Sequence, residues 1–294
     1  MLKAVPIILN PISGHGIGLR VLPRIEEGLR AHGFEPEVMK TEKAGDAKEF
    51  AAAAPDDCPY IVTLGGDGTL NEVINGLVPR DIPLAVFPTG TGNVFCKEIG
   101  LRSNVDFFLS LFDKGKVKRF DVGFAGSRSF ISVSGAGFNA EVVRRMENAR
   151  RGNMRMFEYV VPTLQTLFRY GQPPIRVEVD GHVVCERAFL VEVGNTASYG
   201  GPMKFTTLAR PDDGILDVCA FTKTQRTKVF KHFFGTITGL HLHFSEVIYA
   251  KGKTVRLSSA GEVPTHVDGD GNGILPVEYT ILPMAARVLV PEWI

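Results

Sequence analysis

The sequence predicts an α/β N-terminal domain, with a parallel sheet covered by helices on both faces, and a β-sandwich-rich C-terminal domain. In the first 120 residues, short apolar runs alternate with segments of helical spacing, which is typical of parallel strands joined by helices. Beyond residues 120–130, alternating strand patterns dominate. Glycine-rich loops follow three of the early apolar runs, where an open α/β sheet binds ligands.

The first domain is predicted from the order of its apolar runs. Val5–Leu9 is too short for a signal peptide or a membrane span and is predicted to be the first buried strand. Next come a helix through Leu29 ended by Gly33, a strand at Glu37–Lys40, a helix at Ala44–Ala54, a strand at Tyr60–Leu64, a helix at Thr69–Leu77, a strand at Pro83–Phe87 and a short helix from Val94.

In the second domain, Ile175–Val179 alternates strictly and Asp180-Gly181 is a hairpin turn pair. We expect the domains to span residues 1–125 and 126–294, with room for the last residues to return to the first domain. A cleft between the domains is the default ligand site. Further strands are expected at Ala188–Val193, Asp217–Phe221, Val247–Ala250, Thr254–Ser258, Val277–Leu282 and Ala286–Val290, and helices near Asn139–Arg145, Phe157–Phe168 and Arg226–Gly239.

Composition narrows the class of protein. The net charge of +1 argues against a nucleic-acid binder, whose domain is normally strongly basic. The four cysteines are scattered with no C-x-x-C pair, so a disulfide framework or zinc site has little support and a reducing cytoplasm is expected. No run reaches the ~20 apolar residues of a membrane span. We expect a soluble protein that at most touches the inner membrane surface, and the sequence leaves its oligomeric state open.

The three glycine-rich loops predict a phosphate or nucleotide site. They run Asn10–Gly16, Gly65–Thr69 and Thr89–Asn93, and glycine lets backbone amides converge on an anion at a helix N-terminus. The G-x-x-x-x-G-K-[ST] motif is absent, and Leu19 replaces the last glycine of a dinucleotide fingerprint. A P-loop protein is therefore excluded and a dehydrogenase is disfavoured.

These motifs resemble the diacylglycerol kinase catalytic-domain family, and more narrowly its soluble bacterial lipid kinases. The resemblance rests on Gly65–Thr69 running into Asn71-Glu72, with Asn10–Gly14 upstream and Gly90–Asn93 downstream. It extends over nearly the whole chain, through Asp212–Asp217 and Asp268–Asp270. NAD kinases share the Gly-Gly-Asp-Gly-Thr loop, but their Asn-Glu pair lies well downstream of it.

The resemblance implies transfer of the γ-phosphoryl group of Mg-ATP to a lipid hydroxyl, on diacylglycerol or a sphingoid-like lipid that enters between the domains. It implies the NAD-kinase/diacylglycerol-kinase fold and the cofactors ATP and Mg²⁺. The family's nucleotide contacts correspond here to Asn10, Pro11, Ser13, Gly14, Thr41, Gly65, Gly66, Asp67, Gly68, Thr69, Leu70, Asn71, Glu72 and Thr91.

Three acidic positions are candidate catalytic residues. Asp67 lies in a phosphate loop, where a carboxylate needs a magnesium ion between it and phosphate; the alternative is that it caps the helix from Thr69. Asp268-Gly269-Asp270 resembles the family's Asp-Gly-Glu motif, which is linked to proton abstraction from the lipid hydroxyl. Asp270 stands where the family has Glu, one carbon–carbon bond shorter, and either Asp270 or Asp268 is the candidate base.

A second metal position is implied by the resemblance alone. Asp212-Asp213-Gly214 is most simply a turn before a strand. In the family, the Asp before the glycine holds magnesium together with backbone carbonyls. Those ligands would be Asp213 and the main-chain oxygens of Arg210 and Ile215, in a structural and regulatory role.

Contact with a membrane is a further hypothesis, since a lipid substrate requires access to a bilayer. Basic residues stand before Phe157 and alternate with phenylalanines from Lys223 to Phe234, a pattern that also fits solvated charges beside core aromatics. His241 and His243 would share one face of a strand-like run, although surface or core histidines explain them more simply. The basic residues are Arg144, Arg145, Arg150, Arg151, Arg155, Lys223, Arg226, Lys228 and Lys231.

Two other functions stay open. An NAD-kinase-like enzyme would share the phosphate loop, but the position of Asn71-Glu72 argues against it. A non-catalytic nucleotide or lipid sensor on the same fold is the alternative from another class. Val94, where many relatives have Asp, and the shortened Asp270 favour that alternative.

Overall fold

The computed structural model describes residues 3–149, 163, 165–166, 169–171, 173–200, 203–222 and 229–294. The chain divides into two compact units. Unit 1 comprises Met1–Phe120 and Met284–Ile294, and unit 2 comprises Asp121–Pro283. The helix predicted at 157–168 falls largely outside the described residues, as do the basic positions at 150–155 and 223–228.

Unit 1 is built on a parallel sheet in the order β2-β1-β3-β4, with the end of the last strand, β15, beside β4. The last five residues of β1 and all of β3 and β4 are buried, as expected for parallel strands covered on both faces. Its elements are β1 (Lys3–Leu9), α1 (Ile17–Ala31), β2 (Phe34–Lys40), α2 (Asp46–Ala53), β3 (Ile61–Gly65), α3 (Asp67–Leu77), β4 (Leu84–Pro88), α4 (Val94–Glu98) and α5 (Val105–Lys114).

The helices of unit 1 pack in two pairs, α1 with α5 and α2 with α3. Each pair meets at a glycine. A Cβ on Gly28 of α1 would lie 2.3 Å from Leu109, and a Cβ on Gly76 of α3 would lie 2.3 Å from the carbonyl oxygen of Lys48. These glycines allow the close helix contacts that cover the sheet.

Unit 2 is an antiparallel structure ordered β14-β13-β7-β9-β8-β12-β15, with β10 joining β9 to β11. Its longest internal strand, β9, pairs with β8 through its first part and with both β7 and β10 through its second. The elements are β5 (Gly115–Ala125, beginning in unit 1), β6 (Arg128–Phe130), β7 (Val133–Gly137), α6 (Phe138–Ala149), β8 (Ile175–Val179), β9 (His182–Gly194), β10 (Leu216–Thr222), α7 (Val229–Thr238), β11 (Val247–Gly252), β12 (Thr254–Ser258), β13 (Pro264–Val267), β14 (Asp270–Ile274) and β15 (Val277–Pro291, ending in unit 1).

The hairpin predicted at Asp180-Gly181 is present, and both residues have positive φ angles, 48° and 80°, as a type I′ turn requires. The main core of unit 2 packs aliphatic residues of β8, β9, β10 and β12 around Tyr279. A second cluster combines Phe138 of α6 with Phe189, Phe205 and Phe221. Within the part of the chain that the structure describes, no helix is long and apolar enough to cross a membrane.

The predicted fold class is confirmed, with parallel strands in the first unit and a β-rich second half. Several elements differ from the prediction. The runs Val277–Leu282 and Ala286–Val290 are one strand, β15, and residues 240–243 form a 3-10 turn instead of a strand. Helix α5 and strands β5, β6, β7, β13 and β14 were not predicted. The proposed domain limit at residue 125 stays a prediction.

Candidate functional site

The three glycine-rich loops lie together at one edge of the sheet in unit 1. They follow β1, β3 and β4, which are neighbouring parallel strands, so their carboxyl ends meet at the same edge. The side-chain amide of Asn10 donates to the hydroxyl of Thr69 at 3.0 Å. The hydroxyl of Thr89 donates to that of Ser13 at 2.9 Å. These two bonds join each loop to at least one of the others.

The close approach of the loops depends on glycine. Gly14 has a φ of +56°, and a Cβ there would lie 1.7 Å from the carbonyl oxygen of Thr89. A Cβ on Gly90 would lie 2.7 Å from the Cα of Gly66. A side chain at either position would therefore push the loops apart, and the spacing seen here exists only with glycine.

Asp67 connects the second loop to the third. Its carboxylate accepts a hydrogen bond from the backbone amide of Val94 at 2.7 Å, the first residue of α4. Burial raises the pKa of Asp67, while the amides of Val94 and Asn93 and the charge of Lys97 act in the opposite direction. Asp67 is the first residue of α3, whose N-cap is Gly66, so Asp67 does not occupy the N-cap position of that helix.

The N-terminus of α3 presents backbone amides at the same edge. The first intrahelical bond runs from the amide of Leu70 to the carbonyl of Gly66, at 3.0 Å, so the amides before Leu70 have no partner in the ladder of the helix. The Leu70 side chain is buried. Thr41 follows β2, and its amide donates to the carbonyl of Leu9 beside the first loop. Pro11 is half-buried and Thr91 is exposed.

Asn71 and Glu72 make side-chain contacts within the helices of unit 1. Asn71 is buried, and its side-chain oxygen accepts from the side-chain amide of Asn75 at 2.9 Å. Glu72 accepts from the backbone amide of Gly45 at 3.0 Å, which ties α3 to the start of α2. The structure therefore gives these two side chains contacts within the helices of unit 1, and their predicted contact with the nucleotide stays a prediction.

Asp268 is bound closely within unit 2. Its two carboxylate oxygens accept three backbone hydrogen bonds, from the amides of Ile131, Ser132 and Val133, at 3.0, 3.0 and 3.1 Å. Its own amide donates back to the carbonyl of Val133, and its φ is +48°. This carboxylate fixes the turn between β13 and β14.

Asp270 begins β14, and its side chain is 43% exposed. One of its oxygens lies 3.3 Å from the guanidinium of Arg128. The same guanidinium donates to the carbonyl of Gly271 at 2.9 Å. The two predicted base candidates therefore differ in their partners, since Asp268 accepts from backbone amides and Asp270 pairs with an arginine side chain.

The predicted second metal position is a turn at 211–214, before β10. The carboxylate of Asp213 is exposed and accepts from the amide of Ile215 at 3.2 Å. The Arg210 side chain lies 3.4 Å from Asp212. The turn is tied to buried Asp121, which accepts from the amide of Gly214 at 2.6 Å. Among the described residues, no three His, Cys, Asp or Glu side chains form a metal-binding group.

The predicted histidine pair divides between core and surface. His241 is fully buried, and its ring nitrogens lie 3.1 and 2.9 Å from the carbonyl oxygens of Gly235 and Phe205. His243 is exposed. The simpler interpretation of these histidines is therefore confirmed.

A buried polar group in unit 2 was not predicted. Glu192 and His266 are fully buried and lie 3.0 Å apart. Asn139 donates to the other oxygen of Glu192 at 2.7 Å. A single Glu in the apolar run Leu190–Val193 is a sequence feature that indicates a buried charge with a partner, but nothing in the sequence identifies His266 as that partner.

Two family models match the chain. Residues 4–125 match the diacylglycerol kinase catalytic domain, and residues 132–290 match the YegS C-terminal NAD kinase beta sandwich-like domain. A diacylglycerol kinase of Staphylococcus carnosus (strain TM300) is 31% identical over 295 aligned residues, which cover 99% of this chain and 96% of the relative. A diacylglycerol kinase of Staphylococcus saprophyticus is also 31% identical, with 99% and 97% covered.

Solved structures give the same result. A protein of Bacillus anthracis str. Sterne assigned to the diacylglycerol kinases superposes with a TM-score of 0.82 at 26% identity, over 99% of this chain and 96% of that one. A second structure from the same organism, with the same assignment, has a TM-score of 0.79, also at 26% identity, and covers 98% and 97%. The similarity therefore extends over both units.

Proposed function

Because the chain belongs to the diacylglycerol kinase family, we propose that it is an ATP-dependent lipid kinase. It transfers the γ-phosphoryl group of Mg-ATP to the hydroxyl of a lipid such as diacylglycerol or a sphingoid base. The observation that carries the proposal is the meeting of three glycine-rich loops at one sheet edge, with Gly14 against the carbonyl of Thr89. Phosphoryl transfer needs mainly positioning and charge neutralisation, which such an edge can supply.

In this proposal, the edge of unit 1 binds the triphosphate. The backbone amides at the start of α3 and in the loop around Gly14 donate to phosphate oxygens, and the N-terminus of α3 adds a favourable dipole. Asn10, Ser13 and Thr69 keep the loops in register through their hydrogen bonds. Asn71 and Glu72 contribute indirectly, by fixing α3 against its neighbours.

The residues present fit a magnesium ion at Asp67. A half-buried carboxylate with a raised pKa beside phosphate is favourable only if a cation compensates its charge. When bound, Mg²⁺ would neutralise phosphate charge. The turn at 211–214 offers a second, all-oxygen donor set, from Asp213 and the main-chain oxygens of Arg210 and Ile215, of the kind that hard cations take. If that site regulates activity, Asp213→Asn will raise the Mg²⁺ concentration needed for half-maximal turnover.

Asp270 is the proposed base for the lipid hydroxyl, and Asp268 is the residue that holds the turn in place. Asp268 already accepts three backbone amides, so both of its oxygens are occupied within the turn. Asp270 is partly exposed and pairs with the guanidinium of Arg128. The proton of the hydroxyl would pass to the carboxylate of Asp270 as the oxygen attacks phosphorus.

The test of the function is incubation with γ-labelled ATP and a panel of lipids. We expect labelled product in the organic phase with at least one lipid that has a free hydroxyl. Asp270→Asn should lower turnover by ~10²-fold or more. Label on NAD instead of lipid would favour an NAD-kinase-like enzyme, and ATP binding without any labelled product would favour a sensor. If Asp268→Asn and Asp270→Asn both turn over at the wild-type rate, neither residue is the base.

The nucleotide site has its own test in a matched pair of glycine variants. Gly14→Ala and Gly33→Ala both place alanine at positive φ, but a Cβ at Gly14 meets the carbonyl of Thr89 while Gly33 has nothing within 4 Å. We expect calorimetry to show wild-type Mg-ATP affinity for Gly33→Ala and at least ~10-fold weaker binding for Gly14→Ala. Equal affinity in both variants would contradict the placement of the nucleotide.

Peripheral membrane contact is part of the proposal, since the substrate is a lipid. On α7, Phe233 and Phe234 are 44% and 64% exposed, and Lys231 on the same helix is exposed. Aromatic and basic residues on one helix favour binding at an anionic lipid surface. We expect sedimentation with vesicles containing anionic lipid and less with the Phe233→Ser, Phe234→Ser double variant. Equal sedimentation of variant and wild type would contradict this surface.

A further inference from the structure

The buried pair Glu192 and His266 spans three strands of unit 2. Glu192 on β9 lies opposite Gly135 on β7, and Gly135 lies opposite His266 on β13. Directly opposed residues of antiparallel strands place their side chains on the same face. Gly135 has no side chain, so the other two meet above it, with Nε2 of His266 and Oε2 of Glu192 at 3.0 Å.

The site is shaped for this contact. A Cβ on Gly135 would lie 2.5 Å from Oε2 of Glu192 and 2.3 Å from the carbonyl oxygen of Val191, so the contact requires glycine there. Asn139, at the start of α6, donates to the remaining oxygen of Glu192 at 2.7 Å. Both carboxylate oxygens therefore have a partner, as a buried carboxylate requires.

The second ring nitrogen of His266 indicates which nitrogen carries the proton. Within the described part of the chain, Nδ1 of His266 is buried without a hydrogen-bond partner. A proton on Nδ1 would be an unsatisfied buried donor, which is costly. The arrangement fits a ring proton on Nε2 that is donated to Glu192. This hydrogen bond fixes the orientation of the His266 ring against Glu192.

The strand that carries His266 leads directly to the proposed base. His266 lies two residues before Asp268 and is paired with Gly271 of β14, next to Asp270. Its carbonyl also accepts from the hydroxyl of Ser134. The hydrogen bond between Glu192 on β9 and His266 on β13 therefore fixes the position of β13, and of the β13–β14 turn, relative to β9.

We propose that Glu192 and His266 are positioning residues, which hold the β13–β14 hairpin so that the carboxylate of Asp270 reaches the acceptor hydroxyl. The proposal rests on the role of Asp270 in the proposed function. A misplacement of about 1 Å can cost ~10²-fold in rate, so the base needs a firmly fixed hairpin.

The test compares two substitutions of His266. His266→Phe keeps the ring volume but removes the donor, and His266→Gln keeps an N–H at a similar reach. We expect His266→Phe to lower kcat by ~10²-fold with the KM for ATP changed less than about 2-fold, and His266→Gln to recover most of the loss. Glu192→Gln, which retains an acceptor oxygen, is the second variant if His266→Phe does not fold. Val193→Ala, a buried change next to Glu192, should leave kcat near wild type.

A double-mutant cycle that combines His266→Phe with Asp270→Asn separates an effect on the position of Asp270 from a general loss of stability. If the pair acts through Asp270, His266→Phe will not lower the residual kcat of Asp270→Asn further. Additive losses, or a folded His266→Phe with wild-type kcat, would overturn the proposal.

Hydrogen exchange gives a readout that does not need activity. The amides of Ile131, Ser132 and Val133, which bond to Asp268, should exchange at least ~10-fold faster in His266→Phe and unchanged in Val193→Ala. Unchanged exchange in His266→Phe would also overturn the proposal. Absence of lipid phosphorylation by the wild type would instead contradict the proposed function. The exchange result would still show whether His266 holds the hairpin.

Discussion

At the scale of single residues, two aspartates of unit 1 have pKa values shifted in opposite directions. Burial is the main effect on Asp67 and raises its pKa. Asp46, at the start of α2, accepts from the amides of Glu42 and Lys43 at 2.8 and 2.9 Å, and these bonds lower its pKa. Both carboxylates stand at the beginning of a helix, so position in an element alone does not decide the sign. The two aspartates differ in how well hydrogen bonds from the protein replace the water that each carboxylate loses on folding.

This contrast predicts opposite pH dependences for Asp67→Asn and Asp46→Asn. A raised folded-state pKa means that ionisation destabilises the native protein, while a lowered one means that ionisation stabilises it. As pH rises above the ordinary carboxyl pKa of about 4, we expect Asp67→Asn to become more stable than wild type and Asp46→Asn to become less stable. Thermal unfolding without nucleotide, at several pH values from 4 to 7, is the measurement. The same sign for both variants would show that burial does not control Asp67.

At the scale of elements, the side chain of Arg80 caps the C-terminus of helix α2. Its guanidinium donates to the carbonyl oxygens of Ala51, Ala52 and Ala54 and pairs with Asp56. The last carbonyls of a helix have no partner within it, and here one side chain from the loop after α3 supplies several donors. Arg80 therefore joins α2 to α3 as well as capping it.

Replacing Arg80 by alanine should destabilise unit 1 by about 2 kcal/mol, the typical effect of losing hydrogen bonds to a charged group. Arg24→Ala is the matched control, because Arg24 pairs with Asp106 at 2.8 Å but both side chains are largely exposed. Exposed pairs contribute about 1 kcal/mol or less. Urea denaturation measures both changes in the free energy of unfolding. Equal losses in the two variants would contradict the capping role.

Elements also show where sequence patterns fail. Helix α5 has recognisable features, since Asn104 accepts from the amide of Phe107 at 2.8 Å and Val105, Phe108 and Leu111 are buried at helical spacing. These features were present in the sequence and were missed. Strand β14 begins Asp-Gly-Asn-Gly, a composition typical of turns, and becomes a strand only because β13 pairs with it.

At the scale of the whole molecule, the last eleven residues, Met284–Ile294, belong to unit 1. Val288 is paired with Leu84 of β4, and Val288, Leu289 and Val290 are almost fully buried. Lys118 donates to the carbonyl of Ile294 at 2.9 Å. The edge proposed to bind the nucleotide is therefore built on a sheet that includes the end of the chain.

Truncation tests this dependence. Burying each of the three aliphatic side chains contributes about 1.5–3 kcal/mol, and a typical domain has only about 5–15 kcal/mol of stability. We expect the protein ending at Pro283 to lose Mg-ATP binding and cooperative unfolding of unit 1. The protein ending at Pro291, which lacks exposed Glu292 and Trp293, half-buried Ile294 and the Lys118 contact, should retain binding in calorimetry. Wild-type affinity in the shorter protein would contradict this account.

The sequence by itself determined the parallel α/β unit, the hairpin at Asp180-Gly181 and the glycine-rich loops, because spacing, turn chemistry and glycine content act over a few neighbouring residues. Only the tertiary structure decided what Asp67 caps, how Asp268 differs from Asp270, and that Glu192 meets His266 across Gly135. Those contacts join residues 27 to 137 positions apart. No local pattern encodes them, since the pairing of strands determines which distant side chains share a face.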